Sequence, residues 1–354
     1  MDLKQVRLLH LIKSLNIGGI EKSTIRYSNI LAKELGFVGI YAESGIYNHS
    51  NIVQNNIFLC NNVKKVANAF YFIPNLLNLY KCVRCNRINI INYHHRVFTL
   101  YVFFLKLFYP HLIKIYTAHS VFSDWQNRLI IADKIIAVSE KVSIDISSYK
   151  KNNIIIIPHR VDIPKTIPKK FNGHIKTIGY IGRFEHGKGI FTLLESFETL
   201  SKSSSNLHLV FRGDGPEKKA IQNFILTHNL EDKISLLPPC TNDDEIYSEI
   251  DVLVLPSHSL EGFGLVIIEA MSRGIPVIAT KVGGILDLIE HKKNGVLIAP
   301  NDTGALLSGL NEFIVSKQLY KSIQMTGYKY VSEKYRIQMT IDIITNLLIN
   351  INKP

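Results

Sequence analysis

The sequence predicts an α/β chain of two doubly wound, Rossmann-like parallel-sheet domains, and three observations lead there. Short apolar runs recur without polar alternation, longer stretches of helical periodicity separate them, and a Pro- and Lys-rich passage interrupts the series near its middle. Strands covered on both faces read as continuous apolar runs, whereas half-exposed strands alternate. Strand and helix in regular succession build parallel sheets with helices on both sides. A chain of 354 residues, 46% hydrophobic and 20% charged, also exceeds one ordinary core and suits two domains of roughly 150 to 200 residues.

In the first half the runs occupy residues 6–12, 38–42, 88–93, 113–117, 135–138 and 154–157. In the second they occupy 177–181, 207–211, 234–237, 252–255, 276–279 and 296–298. Helical patterns fill the intervals, for example 21–35 and 189–200. The opening MDLKQVRLLHLIKSLN carries charges before and within its apolar run and leads into a Gly-rich turn. It therefore reads as a first strand and not as a signal peptide. Pro164, Pro168 and Gly173 mark IPKTIPKKFNGHIK as a linker. The expected domains are 1–165 and 166–338, followed by an apolar helix over 339–354 that could cap either and is placed on the first.

The net charge is +12. Residues 1–165 hold 21 Lys and Arg against 9 Asp and Glu, and the remainder holds 20 of each, so the first domain carries the whole excess. A one-sided basic surface attracts polyanions: nucleic acid, anionic lipid or a phosphorylated substrate. The longest apolar stretch, 97–113, contains Lys106 and Pro110 and falls short of the roughly 20 residues of a spanning helix. It reads as a buried helix or as one touching a membrane surface. Cys82 and Cys85 form a single C-x-x-C within a helical pattern, where core or surface thiols are expected. The few cysteines and the lack of a secretory signal imply a reducing, cytoplasmic setting.

Ligands of open α/β sheets bind beyond the carboxyl ends of the strands. After the first run come Gly18 and Gly19, which open a helix and let backbone amides approach an anion; a plain tight turn is the other reading. After the run 177–181 come Gly182, Arg183, Lys188 and Gly189. A forked guanidinium and a mobile ammonium can face one diphosphate. After the run 252–255, Glu261 and Glu269 stand with seven residues between them, among these Gly262, Phe263, Gly264 and Leu265 and a helix start. Carboxylates inside so apolar a segment require a partner or a ligand.

These landmarks resemble those of retaining GT-B glycosyltransferases of family 4: GGIE, ADKIIAVSE, IGRFEHGKG, FRGDGPE, EGFGLVIIEAM, GIPVIATKVGG and NGVLIAPND, in the family's order from about residue 7 to 303. The resemblance implies two domains facing a central cleft and transfer of a sugar from a UDP- or GDP-linked donor. It implies Arg183 and Lys188 at the departing diphosphate, Glu269 at the donor ribose and Glu261 near the reacting sugar. Gly262, Phe263, Gly264 and Leu265 then bind sugar hydroxyls and phosphate together with Gly182. His119 faces the donor sugar, and Gly18 and Gly19 lie at the phosphates and acceptor. The expected acceptor is a glycan or lipid-linked molecule of bacterial surface polysaccharide synthesis (lipopolysaccharide, O-antigen or capsule). The enzyme is then peripheral on the inner face of the cytoplasmic membrane.

No D-x-D follows a strand, so transfer without a metal or other cofactor is expected. The sequence departs from the family at Pro158-His159-Arg160-Val161-Asp162, which lacks the usual turn Gly, and at Pro238-Pro239, near where the base stacks. Two alternatives remain at this stage. One is a related nucleotide-sugar epimerase or non-transferring relative, which the intact Arg183, Lys188, Glu261 and Glu269 disfavour. The other is a nucleic-acid-binding α/β protein, for which no binding module is present.

Overall fold

The structure, a computed structural model, describes residues 2–45, 47, 57–60, 63–121, 125–149, 153–165, 173–204 and 206–351. The chain divides into two compact units, the first joining Met1–His159 to Gln338–Pro354 and the second comprising Arg160–Ile337. The sequence reading puts these divisions at 165/166 and 338/339. Pro168 and half of the expected linker lie outside the described residues.

Among the described residues the first unit holds seven strands: β1 (Arg7–Ser14), β2 (Phe37–Glu43), β3 (Ile57–Cys60), β4 (Ile90–Tyr93), β5 (Ile113–Ala118), β6 (Lys134–Ala137) and β7 (Ile154–Ile156). All are parallel, in the order β3-β2-β1-β4-β5-β6-β7. Leu8 of β1 is level with Val38 on one side and Ile90 on the other, and all three are buried. Six strands are expected from the apolar runs; β3 is the seventh. It is an edge strand of four residues with Phe58 exposed, so it never shows the long apolar run of a strand covered on both faces.

The second unit holds β8 (Thr177–Ile181), β9 (His208–Arg212), β10 (Ile234–Leu237), β11 (Val252–Leu255), β12 (Val277–Thr280) and β13 (Val296–Ile298). These are also parallel, in the order β10-β9-β8-β11-β12-β13. Tyr180, Phe197, Phe211, Phe313 and Tyr320 fill the core between sheet and helices. Three helices start on side-chain caps: Asn242 accepts the amides of Asp244 and Glu245, Asp302 that of Ala305, and Ser316 that of Leu319. Each cap satisfies an amide that the first helical turn leaves without a partner.

The terminal helix Ile337–Asn350 lays Ile341 and Leu348 into the core of the first unit, beside Leu8, Ile12 and Ile90. The Thr340 hydroxyl donates to the carbonyl of Pro158 at 3.4 Å. The apolar stretch 97–113 resolves into the helix Thr99–Phe108 and the start of β5. The reading of that helix as buried holds for one face only. Tyr101, Val102 and Leu105 are buried, whereas Leu100, Phe103 and Leu107 are exposed. A helix on the outside of a sheet layer has only one side to cover. Among the described residues no helix is long and apolar enough to cross a membrane.

Truncating Ile341 or Leu348 to Ala is expected to lower stability by about 2–4 kcal/mol each. Met339→Ala, on the exposed side of the same helix, should stay within about 0.5 kcal/mol. Urea unfolding midpoints of the full chain distinguish the two cases.

Candidate active site

In the second unit the strand order reverses between β8 and β11, so the loops leaving these neighbours diverge and open a crevice at their carboxyl ends. The loop after β8 delivers Lys188, and the loop after β11 delivers Glu261. The Lys188 Nζ donates to Glu261 Oε1 at 2.7 Å, the side chains being 25% and 13% exposed. The Ser257 hydroxyl donates to the same oxygen at 2.5 Å. A charge pair this withdrawn from water is stronger than a surface bridge, and each partner depends on the other to offset its desolvation.

Backbone geometry makes the contact possible. Gly189 sits at φ +65, and a Cβ there would lie 1.9 Å from the Pro256 carbonyl oxygen, so only glycine lets the two loops approach. Gly283 sits at φ +53 in the turn after β12, where a Cβ would fall 2.1 Å from the Glu261 carbonyl oxygen. The amide of its neighbour Gly284 donates to that carbonyl at 2.8 Å. The VGG turn thus holds the backbone of Glu261 while Lys188 holds its side chain.

The remaining predicted residues of the second unit lie on the same two loops and on the helix that follows the second of them. Arg183 shares the loop of Lys188, but its guanidinium is 67% exposed and pairs with Glu185 at 2.6 Å. Gly182 follows β8 directly. Gly262 and Phe263 are buried, with Phe263 against Tyr335, and Gly264 at φ +97 caps the helix Leu265–Ser272. The amides of the first turn of that helix, beginning at Leu265, lack intrahelical partners and suit an anion. Glu269 is its fifth residue, a little over one turn in, where the sequence reading put it about two turns along.

Glu269 is 1% exposed, and the Tyr247 hydroxyl donates to its Oε2 at 2.9 Å. Burial first, and then the carboxylates of Glu269 and Asp243, push the Tyr247 pKa well above its ordinary value, so it stays a proton donor. The sequence reading gives Tyr247, Ser257 and Glu185 no role. Ser257 lies two residues past β11, where the strand-end rule could have found it. Tyr247 sits on a helix 22 residues upstream of Glu269, and no sequence signal links the two.

In the first unit, Gly18 caps the helix Gly19–Glu34 in an extended conformation. A Cβ on Gly18 would meet only the flexible Glu21 carboxylate, so the backbone does not demand glycine at this position. His119 follows β5, and both of its ring nitrogens are engaged. Its Nε2 contacts His94 Nδ1 at 2.8 Å and its Nδ1 contacts His159 Nε2 at 3.2 Å. His94 Nε2 in turn contacts His10 Nδ1 at 3.0 Å. Four imidazoles therefore form one file from β1 past the ends of β4 and β5 to His159. They border a cavity of about 40 Å³ beneath the terminal helix. Burial lowers the His10 pKa to about 4, and burial with neighbouring histidines holds His94 and His119 well below their ordinary value.

Residues 163–330 match the family Glycosyl transferases group 1. The matched residues make up most of the second unit. An uncharacterized glycosyltransferase of Haemophilus influenzae is 28% identical over 92% of this chain and 94% of its own length. The capsular polysaccharide biosynthesis glycosyltransferase CapM of Staphylococcus aureus is 30% identical over 46% of this chain and 43% of its own. Among solved structures, HepE of Anabaena in complex with UDP and glucose superposes with a TM-score of 0.82 at 19% identity, covering 97% of this chain and 99% of that one. The two Rossmann-like units thus have the GT-B fold.

Two outcomes test this geometry. Tyr247→Phe should cost about 1–3 kcal/mol, because it removes a hydrogen bond from a buried carboxylate; chemical denaturation reads the loss. The second concerns acid. Unfolded histidine titrates near 6.5 and folded His10 near 4, so the unfolded chain binds the extra proton between these values. Stability is therefore full above pH 6.5 and falls as the pH drops towards 4. His10 alone accounts for about 2 kcal/mol at pH 5. Thermal midpoints at pH 7 and pH 5 should show a smaller drop in His10→Phe than in the unsubstituted chain.

Proposed function

We propose that the chain transfers a sugar, with retention of anomeric configuration, from a UDP- or GDP-linked donor to a glycan or lipid-linked acceptor of bacterial surface polysaccharide synthesis. The observation that carries this reading is the Lys188–Glu261 contact at the strand-order reversal of the second unit. It puts a cation and a carboxylate together where an α/β sheet binds its ligand. The capsule-synthesis relative supports the class of product, and the UDP and glucose held by HepE support the class of donor.

In this reading Lys188 and Arg183 exchange their carboxylate partners for the diphosphate and stabilise the charge that develops as the glycosidic bond breaks. Preorganised cations at a departing diphosphate lower the barrier electrostatically, without a metal. The amides at the start of the helix Leu265–Ser272 add partial positive charge. Glu269, oriented by Tyr247, holds the ribose hydroxyls, and Glu261, released from Lys188, lies by the sugar. The acceptor hydroxyl attacks from the face of the leaving group and passes its proton to a departing phosphate oxygen, so no covalent role falls to Glu261. Both ring nitrogens of His119 are held by His94 and His159, so its ring is not free to act as an acid or base in this reading. The basic first unit receives the acceptor.

A UDP- or GDP-sugar should raise the thermal midpoint of the full chain by mass action. Lys188→Ala should reduce kcat by about 100-fold or more, and Glu269→Ala should abolish donor protection, both with unchanged circular dichroism. Unaltered transfer rates in both variants overturn the assignment.

A further inference from the structure

The first unit exposes a face that the donor chemistry does not use. The helices Phe72–Cys85 and Thr99–Phe108 run side by side, with Phe72 against Tyr101 and Phe104, and Tyr80 against Phe108 and Tyr109. Their inner sides are buried at Leu79, Val83, Val102 and Leu105. Their outer sides are not covered. On the first helix and the turn before it, Phe70, Ile73 and Leu77 are 81%, 66% and 64% exposed. On the second, Leu100, Phe103 and Leu107 are 52%, 44% and 64% exposed. Positions 73 and 77 share one helical stripe, as do 100, 103 and 107, so the apolar side chains form two parallel rows.

The charge around these rows has one sign. Exposed Lys81 and Arg84 continue the line of Ile73 and Leu77, and exposed Lys106 stands between Phe103 and Leu107. Between residues 44 and 123 the sequence has eight Lys and Arg and no Asp or Glu. A contiguous apolar surface of this kind marks a contact site. A second copy of the chain seated here would set cations against cations, and a nucleic acid would leave the aromatic and aliphatic side chains without a partner. A bilayer answers both features, since acyl chains take the apolar rows and anionic headgroups take the ring of cations.

We propose that this two-helix face lies flat on a membrane surface containing anionic lipid, with Phe70, Ile73, Leu77, Phe103 and Leu107 in the headgroup–acyl boundary. The proposal extends the reading above by holding the acceptor-binding unit where a lipid-linked acceptor resides, but it stands on separate residues. Co-sedimentation of the full chain with phosphatidylcholine vesicles, with and without 30% phosphatidylglycerol, tests it. Binding to the anionic vesicles should exceed binding to the neutral ones by at least tenfold and fall with added salt. Leu77→Ser with Leu107→Ser, and separately Lys81→Ala with Arg84→Ala and Lys106→Ala, should each weaken it about tenfold or more, each cation contributing about fivefold. Thermal protection by UDP- or GDP-sugar should be unchanged in both variants, so that a failure of docking is told apart from a failure of the donor-site reading. Absence of binding by the unsubstituted chain overturns the proposal. So does binding that neither variant weakens. A concentration-dependent dimer abolished by the Leu77→Ser, Leu107→Ser variant would likewise assign the face to a second copy and overturn it.

Discussion

The Lys188–Glu261 ion pair is the contact on which the second unit's site depends. It closes a crevice that the sheet itself opens, because the loops after β8 and β11 leave neighbouring strands in opposite directions. Neither charge would rest there alone at so little exposure. The pair also requires Gly189 and Gly283, because side chains at either position would force the loops apart. Electrostatics and the absence of two Cβ atoms are therefore parts of one constraint. The Ser257 hydroxyl and the Gly284 amide then fix the carboxylate and the backbone of Glu261 from two further directions.

The two Glu residues of this segment are held differently. Glu261 is tied to a mobile ammonium at the edge of the crevice and can change partners. Glu269 is enclosed, with a phenol too weakly acidic to give up its proton aimed at one carboxylate oxygen. An exchangeable carboxylate suits chemistry that moves charge, and an immobile one suits recognition of a fixed part of the ligand.

Much of this arrangement was legible in the sequence, for physical reasons. Strands buried on both faces cannot alternate, so twelve of the thirteen described strands stood out as apolar runs. The exception, β3, is a short edge strand with one exposed aromatic ring. Lys188 and Glu261 were found because strand ends are where such folds bind ligands. The partners that hold the site were harder to find. Tyr247 reaches Glu269 from another helix, and Glu185 claims Arg183 through side-chain geometry that spacing does not encode. The four histidines come from places 84, 25 and 40 residues apart, and only His119 carried any signal.

That file of histidines has a property that its members lack singly. A neutral imidazole has one N–H, and the two inner rings use both nitrogens on neighbours, so each must donate on one side and accept on the other. The three bonds must then all point the same way, and the file has only two arrangements, each the reverse of the other. His10 Nε2, at the inner end, is buried without a partner. A buried lone pair is tolerated better than a buried N–H, which favours the arrangement in which every Nδ1 donates outward towards His159. Reversing it would take a proton off His159 and require another to be delivered to His10 Nε2, which has no partner to supply one. The tautomer of each ring is thus set by its neighbour, and replacing one member changes the hydrogen bond demanded of the next.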